Sequence, residues 1–118
     1  MSWVSTVIVA SDYLTDDDKT FINETAAEHN RAQATFAEPD HCGPAFGGSK
    51  CAESTVLLGA FNYLAVEDFI AELRTRKFHG GIYVLVFSNG EFISTYMQDE
   101  SPVNAPLAIS HIHDVQGQ

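Results

Sequence analysis

Residues 82–97, IYVLVFSNGEFISTYM, contain the strongest folding signal in the chain. Two runs rich in β-branched and aromatic residues flank the pair Asn89-Gly90. Asn-Gly between two such runs is typical of a tight β-hairpin, because both residues tolerate the positive φ angles that the turn requires. The segment therefore predicts two antiparallel strands, and a fold built around a sheet.

An amphipathic helix precedes this hairpin. Apolar residues recur at helical spacing from Val66 to Leu73, and Lys77 continues the same face. The basic residues up to Lys77 suit the negative end of a helix dipole, and Gly80-Gly81 is typical of a helix end. We therefore expect a helix that runs to about Lys77 and stops at the glycine pair.

Nearer the N-terminus, the sequence predicts further strands and another helix. The β-branched run 6–10 and the run 54–61 predict strands. Thr15 can cap a helix that runs to about Asn30, with three aspartates where the helix dipole is positive. A weaker run at 32–37 could form a short strand before Pro39, and residues 107–113 could add an edge strand.

These elements predict a single α+β domain over the 118 residues. Their order, βαββαβ plus an extra C-terminal hairpin strand, favours a ferredoxin-like two-layer sandwich, with a mainly antiparallel sheet and two helices on one face. The bare face of such a sheet favours a homodimer or another partner. The predicted strands and their ends carry the aromatic residues Phe61, Tyr63, Tyr83, Phe87, Phe92 and Tyr96.

The chain is strongly acidic, with 16 Asp and Glu against 6 Lys and Arg and a formal net charge of -10. This charge argues against direct binding of nucleic acid and against an anionic membrane surface. There is no run of roughly 18 apolar residues to form a transmembrane helix, and the N-terminus lacks the basic region of a signal peptide. We therefore expect a cytoplasmic protein in which Cys42 and Cys51 are reduced.

The predicted first helix concentrates part of this negative charge. Glu24 and Glu28 lie one turn apart and form an acidic stripe with the first turn, although a solubilising role would give the same pattern. We expect a small acidic binding protein of the inhibitor or immunity type, without catalytic residues or a cofactor, that is steered to a basic partner protein. The expected contact residues are Asp16, Asp17, Asp18, Glu24 and Glu28.

The alternative function is a homodimeric small-molecule-binding protein or enzyme. Residues 39–53 form the longest irregular stretch, and long connections often carry function. That loop could lid a pocket between sheet and helices. The polar groups aimed at the ligand would then be His41, Cys42, Lys50 and Asn62.

Other motifs in this loop are weaker. Residues 43–50, GPAFGGSK, nearly match a P-loop, but the order Ser49-Lys50 is transposed and a strand rather than a helix follows. The glycine amides could still form an anion-binding nest. A zinc site would need four of a scattered set with no C-x-x-C knuckle, so we expect no metal. That set is His41, Cys42, Cys51, His111 and His113.

Overall fold

A computed structural model describes residues 3–98, which form a four-stranded antiparallel sheet with two helices on one face. The strand order is β2-β1-β3-β4, and every neighbouring pair is antiparallel. The predicted α+β class with an antiparallel sheet is therefore confirmed. The elements are β1 (Val4–Ser11), α1 (Asp16–Glu28), β2 (Thr55–Asn62), α2 (Val66–Leu73), β3 (Ile82–Ser88) and β4 (Glu91–Gln98).

The predicted hairpin is present, and its turn also fastens the central strand. Asn89 and Gly90 adopt positive φ angles of 50° and 89° between β3 and β4. The Asn89 backbone N–H donates to the Val4 carbonyl at 2.8 Å, and the Val4 N–H donates to the Asn89 side chain at 3.0 Å. The turn residue therefore joins the hairpin to the start of β1.

One face of the sheet is buried under both helices. Along β1, Val7 and Val9 are fully buried, whereas Ile8 between them is partly exposed. The two valines share a core with Ile22 of α1 and Phe69 of α2. This alternation follows from the two-residue period of a strand, which places successive side chains on opposite faces.

The predicted strand at 32–37 is wrong. Only Ala37 pairs, through two 2.8 Å hydrogen bonds with Leu58. The Asn30 side chain instead bonds both backbone groups of Ala34, and Gln33 has a φ of 57°, which breaks an extended conformation. The element order among residues 3–98 is therefore βαβαββ rather than the expected βαββαβ.

Helix α2 ends at Leu73, so the prediction that it reaches Lys77 is also wrong. The chain tightens into turns after Leu73, and Arg76 reaches across to Asp18 of α1. Phe78 then enters the core, where it is fully buried beside Phe21. The contacts of Arg76 and Phe78 with α1 therefore end a helix that the local sequence could have continued.

The predicted strand at 107–113 and the histidines His111 and His113 lie outside the described residues. Within residues 3–98, neither helix is long and apolar enough to cross a membrane.

Candidate interaction surface

Asp18 is a structural residue of the α1 N-terminus. The Asp18 N–H donates to Thr15 Oγ1 at 3.0 Å, and the Thr15 N–H donates to Asp18 Oδ2 at 3.1 Å, which is a reciprocal capping box. Its other oxygen, Oδ1, accepts a hydrogen bond from Arg76 Nε at 2.9 Å and lies 2.9 Å from Arg76 Nη2 in the same ion pair. Asp18 is only 3% exposed, so it offers little surface to a partner.

The other four predicted contact residues are exposed on α1, and we call Asp16, Asp17, Glu24 and Glu28 the acidic face. Asp17, Glu24 and Glu28 are spaced by seven and four residues, which places them along one side of a helix. Asp16 lies about 100° further round the first turn. The structure shows no salt bridge to any of them from another described residue.

Most cations are engaged elsewhere. The lysine of α1, Lys19, lies 3.0 Å from Glu38, outside the helix. Two further arginines stack on aromatic rings, with guanidinium-to-ring distances of 4.1 Å for Arg31 on Tyr63 and 5.3 Å for Arg74 on Tyr96. Lys50 and Lys77 are exposed outside the helices. The acidic face therefore keeps its negative charge.

A histidine marks the C-terminal end of the acidic face. His29 Nε2 lies 2.8 Å from Glu72 Oε1 of α2, and the Ala65 N–H donates to the His29 carbonyl at 2.8 Å. Ligand atoms of Glu28, His29 and Glu72 lie within 4.8 Å of one another. Imidazole and carboxylate can ligate a divalent cation, but here the His29–Glu72 pair serves to fix the end of α1 against α2.

The loop at 39–53 is closed by a disulfide between Cys42 and Cys51, contrary to the expected reduced thiols. The Ala52 N–H donates to the His41 carbonyl at 2.7 Å, which brings the two ends of the loop together. A disulfide is typical of an oxidising compartment and does not favour the expected cytoplasmic location. His41 lies beside both sulfurs, but metals bind thiolates, which the disulfide lacks.

The polar residues of the alternative ligand site do not converge. His41, Cys42 and Lys50 belong to the disulfide loop, which leads into the start of β2 at Thr55. Asn62 is the last residue of β2, seven residues further, or about 23 Å along an extended strand. One small ligand cannot contact both ends.

Two backbone amides of the glycine-rich segment at 43–50 donate hydrogen bonds within that segment. The N–H groups of Phe46 and Gly47 both donate to the Gly43 carbonyl, at 3.1 Å and 3.0 Å. Gly43, Gly47 and Gly48 have positive φ angles that form these turns. Two of the amides that an anion-binding nest would require therefore already have an acceptor.

Removing the disulfide should destabilise the protein. We expect a Cys42→Ser/Cys51→Ser variant to lose about 2–3 kcal/mol of unfolding free energy, because the bridge closes a loop of about ten residues in the unfolded chain. Urea denaturation with and without a thiol reductant measures this loss. The reductant should shift the wild-type transition and leave that of the double variant in place; equal midpoints without reductant would contradict the prediction.

The sequence did not reveal the two residues, Arg76 and Glu72, that hold the ends of α1 in place. The pairing of Asp18 with Arg76 spans 58 residues and that of His29 with Glu72 spans 43, so neither follows from local pattern. A local signal for Asp18 was present, since Thr15-x-x-Asp18 resembles a capping box.

Comparison of the chain with protein-family models, curated proteins and solved structures finds no match.

Proposed function

We propose that the protein is a binding protein of the inhibitor or immunity type, which docks to a basic partner protein through the acidic face of α1. One observation carries the proposal. The four carboxylates of that face are exposed on a single helix, and no described residue forms a salt bridge with them.

The acidic face is held rigidly, which favours docking. Ile22 and Ala26 bury the opposite side of α1, and the Asp18–Arg76 and His29–Glu72 pairs fasten its two ends. A helix of 13 residues spans about 20 Å, which matches a groove on a partner rather than a small-molecule pocket. Because the helix is pre-organised, little conformational entropy is lost when a partner binds.

The negative charges of the acidic face suit a partner protein that itself binds an anionic polymer. A row of carboxylates presents negative charges to Lys and Arg side chains, as a phosphate backbone does. Such a partner would be a nucleic-acid-handling protein, and docking would block its basic site. Long-range attraction would raise the rate of encounter more than the final affinity.

Two charge-matched variants test the proposal. In the face variant, Asp16 and Asp17 become Asn, and Glu24 and Glu28 become Gln. In the control variant, other exposed carboxylates change in the same way: Asp12→Asn, Asp40→Asn, Glu53→Gln and Glu91→Gln. Each variant loses four negative charges, from -10 to -6.

The immobilised wild type and the two variants are incubated with extract of the native host at low salt. We expect a basic protein to be retained by the wild type and by the control variant, and to be lost from the face variant. Raised salt should elute it. Equal retention by the two variants would mean that net charge alone attracts the protein, and would overturn the proposal, as would the absence of any retained basic protein.

A further inference from the structure

Among residues 3–98, the sheet face opposite the helices is mostly apolar and carries no charged side chain. Strand register identifies its rows, because residues paired across neighbouring strands share a face. The central row is Leu58, Ile8, Leu85 and Thr95. The rows on either side are Ala60, Thr6, Phe87 and Phe92, and Val56, Ala10, Tyr83 and Met97. We call these twelve residues the open sheet face.

Several side chains of this face are exposed although they are large and apolar. Leu58 and Tyr83 are each 42% exposed, and Phe92 is 56% exposed. Phe92 packs edge-on against Phe87, with 5.6 Å between ring centroids, so the two rings form a continuous aromatic surface. An apolar surface that extends over four strands is larger than the scattered apolar residues normal for a monomer.

We propose that the open sheet face is the interface of a homodimer, in which the sheets of two copies pack face to face. The distribution of charge favours a second copy of the chain, rather than a basic partner protein, as the occupant of this face. The chain carries a formal charge of -10, and a basic partner would be attracted to carboxylates, none of which is among the twelve residues of this face. The open sheet face can be buried against its own copy without burying any charge, which is the costly step in association.

The size of the face is sufficient for such a dimer. Four strands at a spacing of about 4.8 Å, three of eight residues and one of seven at about 3.3 Å per residue, cover roughly 500 Å². Two copies would bury about 1,000 Å² together, which reaches the lower bound for a specific interface. Sheets that pack in this way lie about 10 Å apart, with their apolar side chains interleaved.

The dimer would leave the proposed partner-binding surface free. The acidic face of α1 lies beyond the helix layer, and a helix is about 10 Å across. The Debye length at physiological ionic strength is about 8 Å, so repulsion between the two copies is largely screened. Each dimer would present two acidic faces, directed away from each other. The dimer does not require the docking function of α1.

The molar mass of the full chain in solution tests the interface, measured by size-exclusion chromatography with light scattering at several concentrations. We expect a mass of twice 12.9 kDa for the wild type. Leu58→Glu on β2 and Phe92→Glu on β4 should each halve that mass, because each places a carboxylate inside the interface. Phe46→Glu is the control, since Phe46 is 38% exposed in the loop outside the sheet; it should remain a dimer.

Two variants on opposite edges of the sheet keep the test decisive if one of them fails to fold, as judged by its thermal melting transition. A wild-type mass of 12.9 kDa at every concentration overturns the inference, whether the face is left to solvent or covered by another part of the chain. A dimer that survives both glutamate substitutions also overturns it. The face variant of α1 should keep the dimer mass, which separates this inference from the docking proposal.

Discussion

Replacing Asp18 with alanine is expected to lower the free energy of unfolding by about 3 kcal/mol. Asp18 caps α1 through Thr15 and binds Arg76 from a position that is only 3% exposed. The substitution would leave the Arg76 guanidinium without its carboxylate. It would also remove the acceptor of the Thr15 N–H at the N-terminus of α1. Urea denaturation, monitored by circular dichroism, measures the loss.

Asp17 is the matched control for this prediction, because it is the neighbouring aspartate in the same helical turn. Asp17 is exposed, so Asp17→Ala should cost less than about 1 kcal/mol, the contribution of a charge to the helix dipole. Asp18→Asn keeps a capping oxygen but loses the charge that Arg76 binds, and its cost should fall between those two values. Equal costs for Asp17→Ala and Asp18→Ala would show that Asp18 has no structural role.

Replacing Gly80 with alanine is expected to cost about 3 kcal/mol. A Cβ atom at Gly80 would lie 2.6 Å from the Tyr13 carbonyl oxygen and 2.7 Å from the Tyr13 nitrogen. Both are backbone atoms, so they cannot move aside as the end of a side chain could. The alanine would force apart the segment before α1 and the segment before β3.

The hydroxyl of Ser11 holds these same two segments together. Ser11 Oγ accepts from the Tyr13 N–H at 3.1 Å and donates to the Gly81 carbonyl at 2.6 Å. Ser11→Ala should therefore destabilise the protein by about 1–3 kcal/mol, through the loss of partners for buried backbone groups. In urea denaturation, an unfolding free energy for Gly80→Ala within about 0.5 kcal/mol of wild type would contradict the close approach of Gly80 to Tyr13.

Local signals in the sequence were sufficient for the strands of the sheet. The hairpin at Asn89-Gly90 and the β-branched run of β1 depend on turn chemistry and on side-chain shape, which act over a few residues. The start of α1 at Thr15 is equally local. The α+β class could therefore be predicted from short segments alone.

Two secondary-structure predictions were wrong, the strand at 32–37 and the extension of α2 to Lys77, because both segments depend on contacts with distant parts of the chain. Residues 74–77 are compatible with a helix, but Arg76 leaves the helical path to bind Asp18. Residues 32–37 are too irregular for a strand, and a single bridge from Ala37 to Leu58 replaces it. Tertiary packing overrides local propensity in both segments.

The candidate surface could be predicted only in part. Sequence pattern identified the five carboxylates of α1, but it could not separate the buried Asp18 from the exposed Asp16 and Asp17 without Arg76. The four residues of the alternative ligand site are not brought together, because Lys50 lies in the loop before β2 and Asn62 is the last residue of β2. The sequence alone does not give the distance between them.

The association rate constant of the basic partner with the wild type, the face variant and the control variant tests the docking surface most directly. Between about 0.01 M and 0.15 M ionic strength, we predict that the wild-type and control rates fall by about ten-fold or more. The face variant should bind slowly at low salt and respond little to added salt. A wild-type rate independent of salt, or equal rates for the two variants, would contradict the proposal that the acidic face of α1 guides the partner.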